Sequence, residues 1–143
     1  MSMRFNFTFL LIIFSFSTQA QFSPVGVIGS ERLGLTQLNR PTAATFGSDG
    51  LLYFINEDSN QILVYSADGT FIRAISTILN DEPFRPNSIA INTAGLIYLS
   101  SAYTNAIAVL DHEGHFQQLI GSYGSNPDQL YLPTGIALDG EGN

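Results

Sequence analysis

Residues 41–71 read PTAATFGSDGLLYFINEDSNQILVYSADGTF, and residues 86–116 read PNSIAINTAGLIYLSSAYTNAIAVLDHEGHF. The second stretch repeats the first at an offset of 45 residues. Gly50 matches Gly95, Tyr53 matches Tyr98, and Asn60 matches Asn105. Ile62, Val64, Gly69, Phe71 and Ile75 match Ile107, Val109, Gly114, Phe116 and Ile120. A period of this length marks repeated supersecondary units, each of which must bury its faces against a neighbour.

Within the first unit, apolar blocks run from Thr42 to Phe46, Leu51 to Ile55, Gln61 to Ser66 and Phe71 to Ile75. Clusters of Gly, Asp, Asn and Ser separate them. Short β-rich runs split by such clusters predict strands joined by turns. Asp68-Gly69 and Glu113-Gly114 fall where a hairpin needs positive φ. No segment after residue 20 holds an apolar period of 3.6 residues. The expectation is an all-β chain with about four antiparallel strands per unit. The units are a first repeat over 41–85, a second over 86–132, and the start of a third over 133–143, where Pro133 and Gly142 keep the spacing. Residues 21–40 form an opening segment, with a short strand expected over Val25–Ile28 that belongs to the blade closing the ring.

Residues 1–20 read MSMRFNFTFLLIIFSFSTQA. Arg4 precedes an apolar core from Phe7 to Phe16, and Thr18 and Ala20 put small residues where a signal peptidase reads. Cleavage is expected between Ala20 and Gln21. The core is too short to span a bilayer, which takes about 20 apolar residues. The protein is therefore expected to be secreted, extracellular or periplasmic, with no membrane span. The chain has 5 basic residues against 12 acidic ones, a formal net charge of −7. It has no basic cluster, and such a surface repels nucleic acid. With no cysteine, disulfides and thiolate metal sites are excluded.

The pattern P-x-x-I-A-[VIL]-x-x-x-G-x-I-Y-[VL], then N-x-I-x-V and D-x-x-G-x-F, resembles the NHL repeat, a β-propeller family with six blades in most members. The resemblance covers residues 41–143 and, with fewer matches, 25–40, and it implies blades of four antiparallel strands. The chain departs from that pattern at Asn56 and Ser101, where the family has Asp, and at Gln61 and Ala106, where it has Arg. Those departures are expected to weaken the family's loop hydrogen bonds. Propellers close with about four to eight blades, so two full repeats imply an incomplete ring. The expectation is the N-terminal part of a longer, monomeric product, with a ring assembled from short chains as the alternative.

In this connectivity the loops after the second and fourth strands open on one face. Candidate ligand-binding residues there are Asn56, Glu57, Asp58, Asp81, Glu82, Ser101, Tyr103, Tyr123 and Asp128, since long loops on a rigid scaffold are where binding resides. The competing reading is solvated loops with local capping. Glu57 and Asp58 offer calcium-type oxygen ligands, but no D-x-D-x-D-G loop accompanies them. No cofactor is expected, with calcium the one weak candidate. His112 and His115 flank a routine hairpin turn, and Tyr53 and Tyr98 read as packing positions. No catalytic motif is present. The leading function is a secreted scaffold that binds an extracellular protein, glycan or small ligand. The alternative that the resemblance implies is a metal-dependent hydrolase or lyase, as in lactonase, strictosidine-synthase-like or peptide-amidating propellers, with its site completed by further blades.

Overall fold

The structure, a computed structural model, describes Ile28 and residues 37–139. The leader, its cleavage point, the strand expected before Ile28 and the position of Gly142 lie outside the described residues. Among the described residues ten strands follow in order. β1 (Pro41–Phe46), β2 (Leu52–Asn56), β3 (Gln61–Tyr65) and β4 (Phe71–Ser76) form one antiparallel meander. β7 (Ser88–Ile91), β8 (Ile97–Ser101), β9 (Ala106–Leu110) and β10 (Phe116–Ile120) form a second. Between them β5 (Ile78–Leu79) pairs with β6 (Glu82–Pro83) in a miniature hairpin. One turn of 3-10 helix spans Glu57–Ser59.

Strand periodicity explains how the two sheets pack. Alternate residues face opposite sides of a strand, and the register stacks them across it. Tyr53, Val64 and Arg73 form one cross-strand row of the first sheet, and Ile55, Ile62 and Ile75 form the next. On the second sheet Ile91, Ile97 and Leu110 make one row, and Ile89, Leu99 and Ala108 another. These rows meet in a single core that also takes Phe84. Ile62 and Ile97 are fully buried, and burying each side chain contributes about 1.5–3 kcal/mol relative to leaving it in water. The sheets also approach each other through their first strands, β1 and β7.

The turn of the second sheet between β9 and β10 is seated on the first sheet. Arg73 donates to the carbonyl of His112, and the backbone of Gly114 lies against Ile75. Tyr53 sits in this core, 2% exposed, with its hydroxyl donating to Asp49 Oδ2 at 2.8 Å. Burial, followed by the neighbouring Asp49 carboxylate, holds its phenol above the ordinary value of 10.0. Its repeat partner Tyr98 is half-buried on β8.

One expectation, of a loop after the fourth strand over 77–85, needs correction. The segment 77–85 is not a plain loop: Asn80 (φ 50°) and Asp81 (φ 65°) form the turn of the β5–β6 hairpin. Two successive residues with positive φ suit a two-residue hairpin turn. Residues 133–139, expected to open a third unit, form no strand. They lie beside the second sheet all the same. Asn87 Nδ2 donates to the Pro133 carbonyl at 3.2 Å, and the Ile136 N–H donates to Ser88 Oγ at 3.3 Å. The repeat also shows in backbone shape. Arg40, Arg85 and Leu132 each precede a proline, and their φ values are 50°, 51° and 48°.

Candidate functional site

The loops after β2, β4, β8 and β10 are tied to one another, so they share an end of the sheets. The Thr77 N–H donates to the Asn60 carbonyl at 2.9 Å, and the Leu132 N–H donates to Asn105 Oδ1 at 2.9 Å. Asn60 and Asn105 both adopt a left-handed conformation, with φ of 52° and 56°. Asparagine tolerates that conformation better than most residues.

Asn56 and Ser101, both candidates for ligand contact, are buried and committed to the protein itself. Asn56 is 1% exposed. Its Nδ2 donates to the Gln37 carbonyl at 3.1 Å and to Ser59 Oγ at 2.8 Å, and its Oδ1 accepts the Asn39 N–H. Ser101 is fully buried and donates to the carbonyls of Phe84, at 2.6 Å, and Arg85, at 3.1 Å. Each clamps the segment before a sheet's first strand onto the loop after its second. The expected weakening of loop hydrogen bonds at these two departures is not what the structure shows. A shorter or neutral polar side chain does the tying instead, which satisfies groups that would otherwise be buried unpaired.

Three more candidates lie beside arginines. Arg40 reaches Glu57 Oε2 at 3.0 Å and Asp58 Oδ1 at 3.2 Å. One repeat later, Arg85 lies over the Tyr103 ring, 4.5 Å from its centroid. Arg40 and Arg85 are separated by 45 residues, as are Asp58 and Tyr103. The pre-proline arginine thus covers the β2–β3 or β8–β9 loop of the unit that follows it, by an ion pair in one case and a cation–π contact in the other. The Glu57 and Asp58 carboxylates, which suggested calcium, are both paired with the Arg40 guanidinium.

Glu82 and Tyr123 are brought together. They line a cleft of about 280 Å³ between the β5–β6 hairpin and the β9–β10 edge of the second sheet. Phe84 and Ala106, both 4% exposed, contribute buried apolar surface. Leu79 and Asn80 come from the hairpin, Phe116 and Leu119 from β10, and Thr104 from the β8–β9 loop. Tyr123 also meets Tyr131 edge-on, at 5.8 Å between ring centroids. Asp81 sits at the exposed hairpin turn, and Asp128 is exposed in the last loop. Neither is among the residues lining the cleft.

Sequence reasoning missed Leu79, Thr104, Phe116 and Leu119. The available signal was on β10. A register shift between Phe116 and Gln118 inserts a bulge. Phe116 pairs with Leu110 and Leu119 with Ala108, so both face the same side of the sheet although three residues apart. Simple alternation does not reveal this.

The His112–His115 turn is a hairpin held by Asp111. That carboxylate accepts the N–H groups of Glu113 at 3.0 Å and His115 at 2.9 Å, and its other oxygen lies 3.1 Å from His115 Nδ1. The His115 backbone N–H foremost holds the Asp111 carboxyl below its ordinary range. Among the described residues no three His, Asp or Glu side chains gather as a metal set, and no helix is long and apolar enough to cross a membrane.

No protein-family model and no curated protein matches this sequence. Solved structures do match. The chain is similar to hydrazine synthase from Kuenenia stuttgartiensis, with a TM-score of 0.57 and 17% identity over 82% of this chain and 31% of that one. It is also similar to virginiamycin B lyase from Staphylococcus aureus, with a TM-score of 0.51 and 20% identity over 69% of this chain and 31% of that one. The chain thus spans about a third of the length of these structures, and at these identities the likeness is one of fold. The two four-stranded sheets are blades of a β-propeller, and the ring is not closed within the described residues.

Proposed function

We propose that this chain contributes blades to a secreted, six-bladed propeller of the NHL-repeat type that acts as a binding scaffold, with the cleft between the β5–β6 hairpin and the second sheet as a ligand site. The repeat pattern across residues 41–143 supports the family reading, and the leader over residues 1–20 supports secretion. The cleft carries the functional reading. It joins a rigid apolar wall from the blade core to side chains of two long loops, the usual composition of a small-molecule site. Most other polar candidates on this face are occupied in holding the blades together, so the cleft is where surface remains for a partner. The ligand that fits is a small molecule with an apolar body.

The test is protein NMR on the full chain titrated with 2-phenylethanol. Shift changes centred on Leu79, Phe84, Thr104 and Leu119 are expected. Leu119→Arg, a change at a half-exposed position, is expected to remove them. A folded protein whose cleft signals do not move, or move equally in the variant, overturns the assignment.

A further inference from the structure

The chemistry lining the cleft is unequal in charge. Phe84, Phe116 and Tyr123 present aromatic rings, Glu82 presents a carboxylate, and no lysine, arginine or histidine lines it. Glu82 is exposed on β6. Among the described residues its carboxylate has no hydrogen-bond or ion-pair partner, whereas Glu57 and Asp58 on the same face hold Arg40. Arg85, next in sequence to Phe84, lies over the Tyr103 ring. Aromatic faces attract cations through their quadrupole, and a carboxylate beside apolar surface attracts an ammonium more strongly than it would in open water.

Resting on the reading of the cleft as the binding site, we propose that its ligand is an organic cation: an amine or alkylammonium on an apolar body, seated with its charge at Glu82 and its body against Phe84, Phe116 and Leu119. Anionic ligands are disfavoured by the same carboxylate and by the chain's net charge of −7. The Asn80 side chain, at the hairpin turn beside Glu82, supplies an amide oxygen that can accept a second ammonium hydrogen.

Three probes that share a phenylethyl body test this on the full chain by NMR titration: 2-phenylethylamine, 2-phenylethanol and 3-phenylpropionate. The amine is expected to bind about three- to tenfold more tightly than the alcohol, the range of a partly solvated charge-assisted contact. The propionate is expected to bind weakest. Glu82→Gln is expected to bring the amine-to-alcohol ratio to about one. The ratio is also expected to fall as salt is raised, because the contact is screened. Equal binding of amine and alcohol at the cleft of the unaltered protein overturns the cation preference and leaves the cleft as a site. Shift changes at the cleft with none of the three probes overturn both. A ratio that survives Glu82→Gln overturns the role of Glu82.

Discussion

The seating of one blade on the next can be measured at a single atom. Gly114, in the turn between β9 and β10, has φ of 98°, and a Cβ built there falls 2.4 Å from Ile75 Cγ2. Ile75 is 3% exposed in the core of the neighbouring sheet. Gly50, in the turn between β1 and β2, has φ of 76°, and a Cβ there meets nothing within 4 Å. Both substitutions to alanine incur the left-handed backbone penalty of about 1–2 kcal/mol. Only Gly114→Ala adds an overpacking penalty of about 1–3 kcal/mol. The expected losses are therefore about 1–2 kcal/mol for Gly50→Ala and about 2–5 kcal/mol for Gly114→Ala. Urea unfolding followed by tyrosine fluorescence and far-UV circular dichroism gives both values, provided the m-values agree. A double-mutant cycle with Ile75→Ala sharpens the result. Removing Cγ2 opens space for the new methyl, so Ile75→Ala is expected to cost less in the Gly114→Ala background, with a coupling of about 1–3 kcal/mol. Equal losses for the two glycine variants, together with additivity in the cycle, would refute the seating of this turn on Ile75.

Buried polar groups on the loop side make opposite predictions. Thr77 and Ser100 are buried, and among the described residues neither hydroxyl has a hydrogen-bond partner. Thr77→Val is accordingly expected to leave stability unchanged or raise it by about 1 kcal/mol. Asn56→Ala strands the Asn39 N–H and opens the loop clamp, and is expected to lose about 1–3 kcal/mol; thermal unfolding of the two variants side by side checks both. The depressed Asp111 carboxyl contributes stability that is present above its ordinary value of 3.8 and lost as the pH falls through its lowered one. Asp111→Asn is expected to flatten the acid side of the stability profile, read from urea midpoints at about pH 5 and about pH 2.5. Secretion is checked by expressing the whole chain with its leader and sequencing the exported product, which is expected to begin at Gln21.

The strands were legible because their signal is local. Alternation and turn residues place β1 to β4 and β7 to β10 within a residue or so of the blocks read from the sequence. The positive φ at Gly69 and Gly114 follows from the same turn chemistry. The β5–β6 hairpin was harder, because its strands are two residues each and offer no alternation to count. The left-handed residues before Pro41, Pro86 and Pro133 run against local preference, which favours extended backbone before a proline. Only tertiary context supplies them. The candidate site was less legible still. Asn56 and Ser101 look on paper like exposed polar loop residues, and what decides their role is burial, which depends on where the next segment of chain lies. The cleft depends on a bulge in β10 and on a hairpin from the preceding unit, and neither shows in a list of polar residues.

The repeat supplies a criterion for sorting such residues that a lone domain lacks. A position doing the same job in both units is serving the blade, whatever its chemistry. Arg40 and Arg85 meet this test although their partners differ, a carboxylate pair in one unit and a phenol ring in the other. Asn56 and Ser101 meet it as clamps built from different side chains. The side chains of Glu82 and Phe84 fail it, although the Phe84 backbone serves the Ser101 clamp. Their counterparts 45 residues earlier are Gln37 and Asn39, which serve the Asn56 clamp through backbone atoms. Leu119 likewise replaces the much smaller Ala74. An apolar wall and a carboxylate without a partner among the described residues therefore occur where the chain departs from its own 45-residue repeat. Selection for the fold alone asks only for what the two units share. The departures at Glu82, Phe84 and Leu119 are where a ligand-specific requirement has room to act.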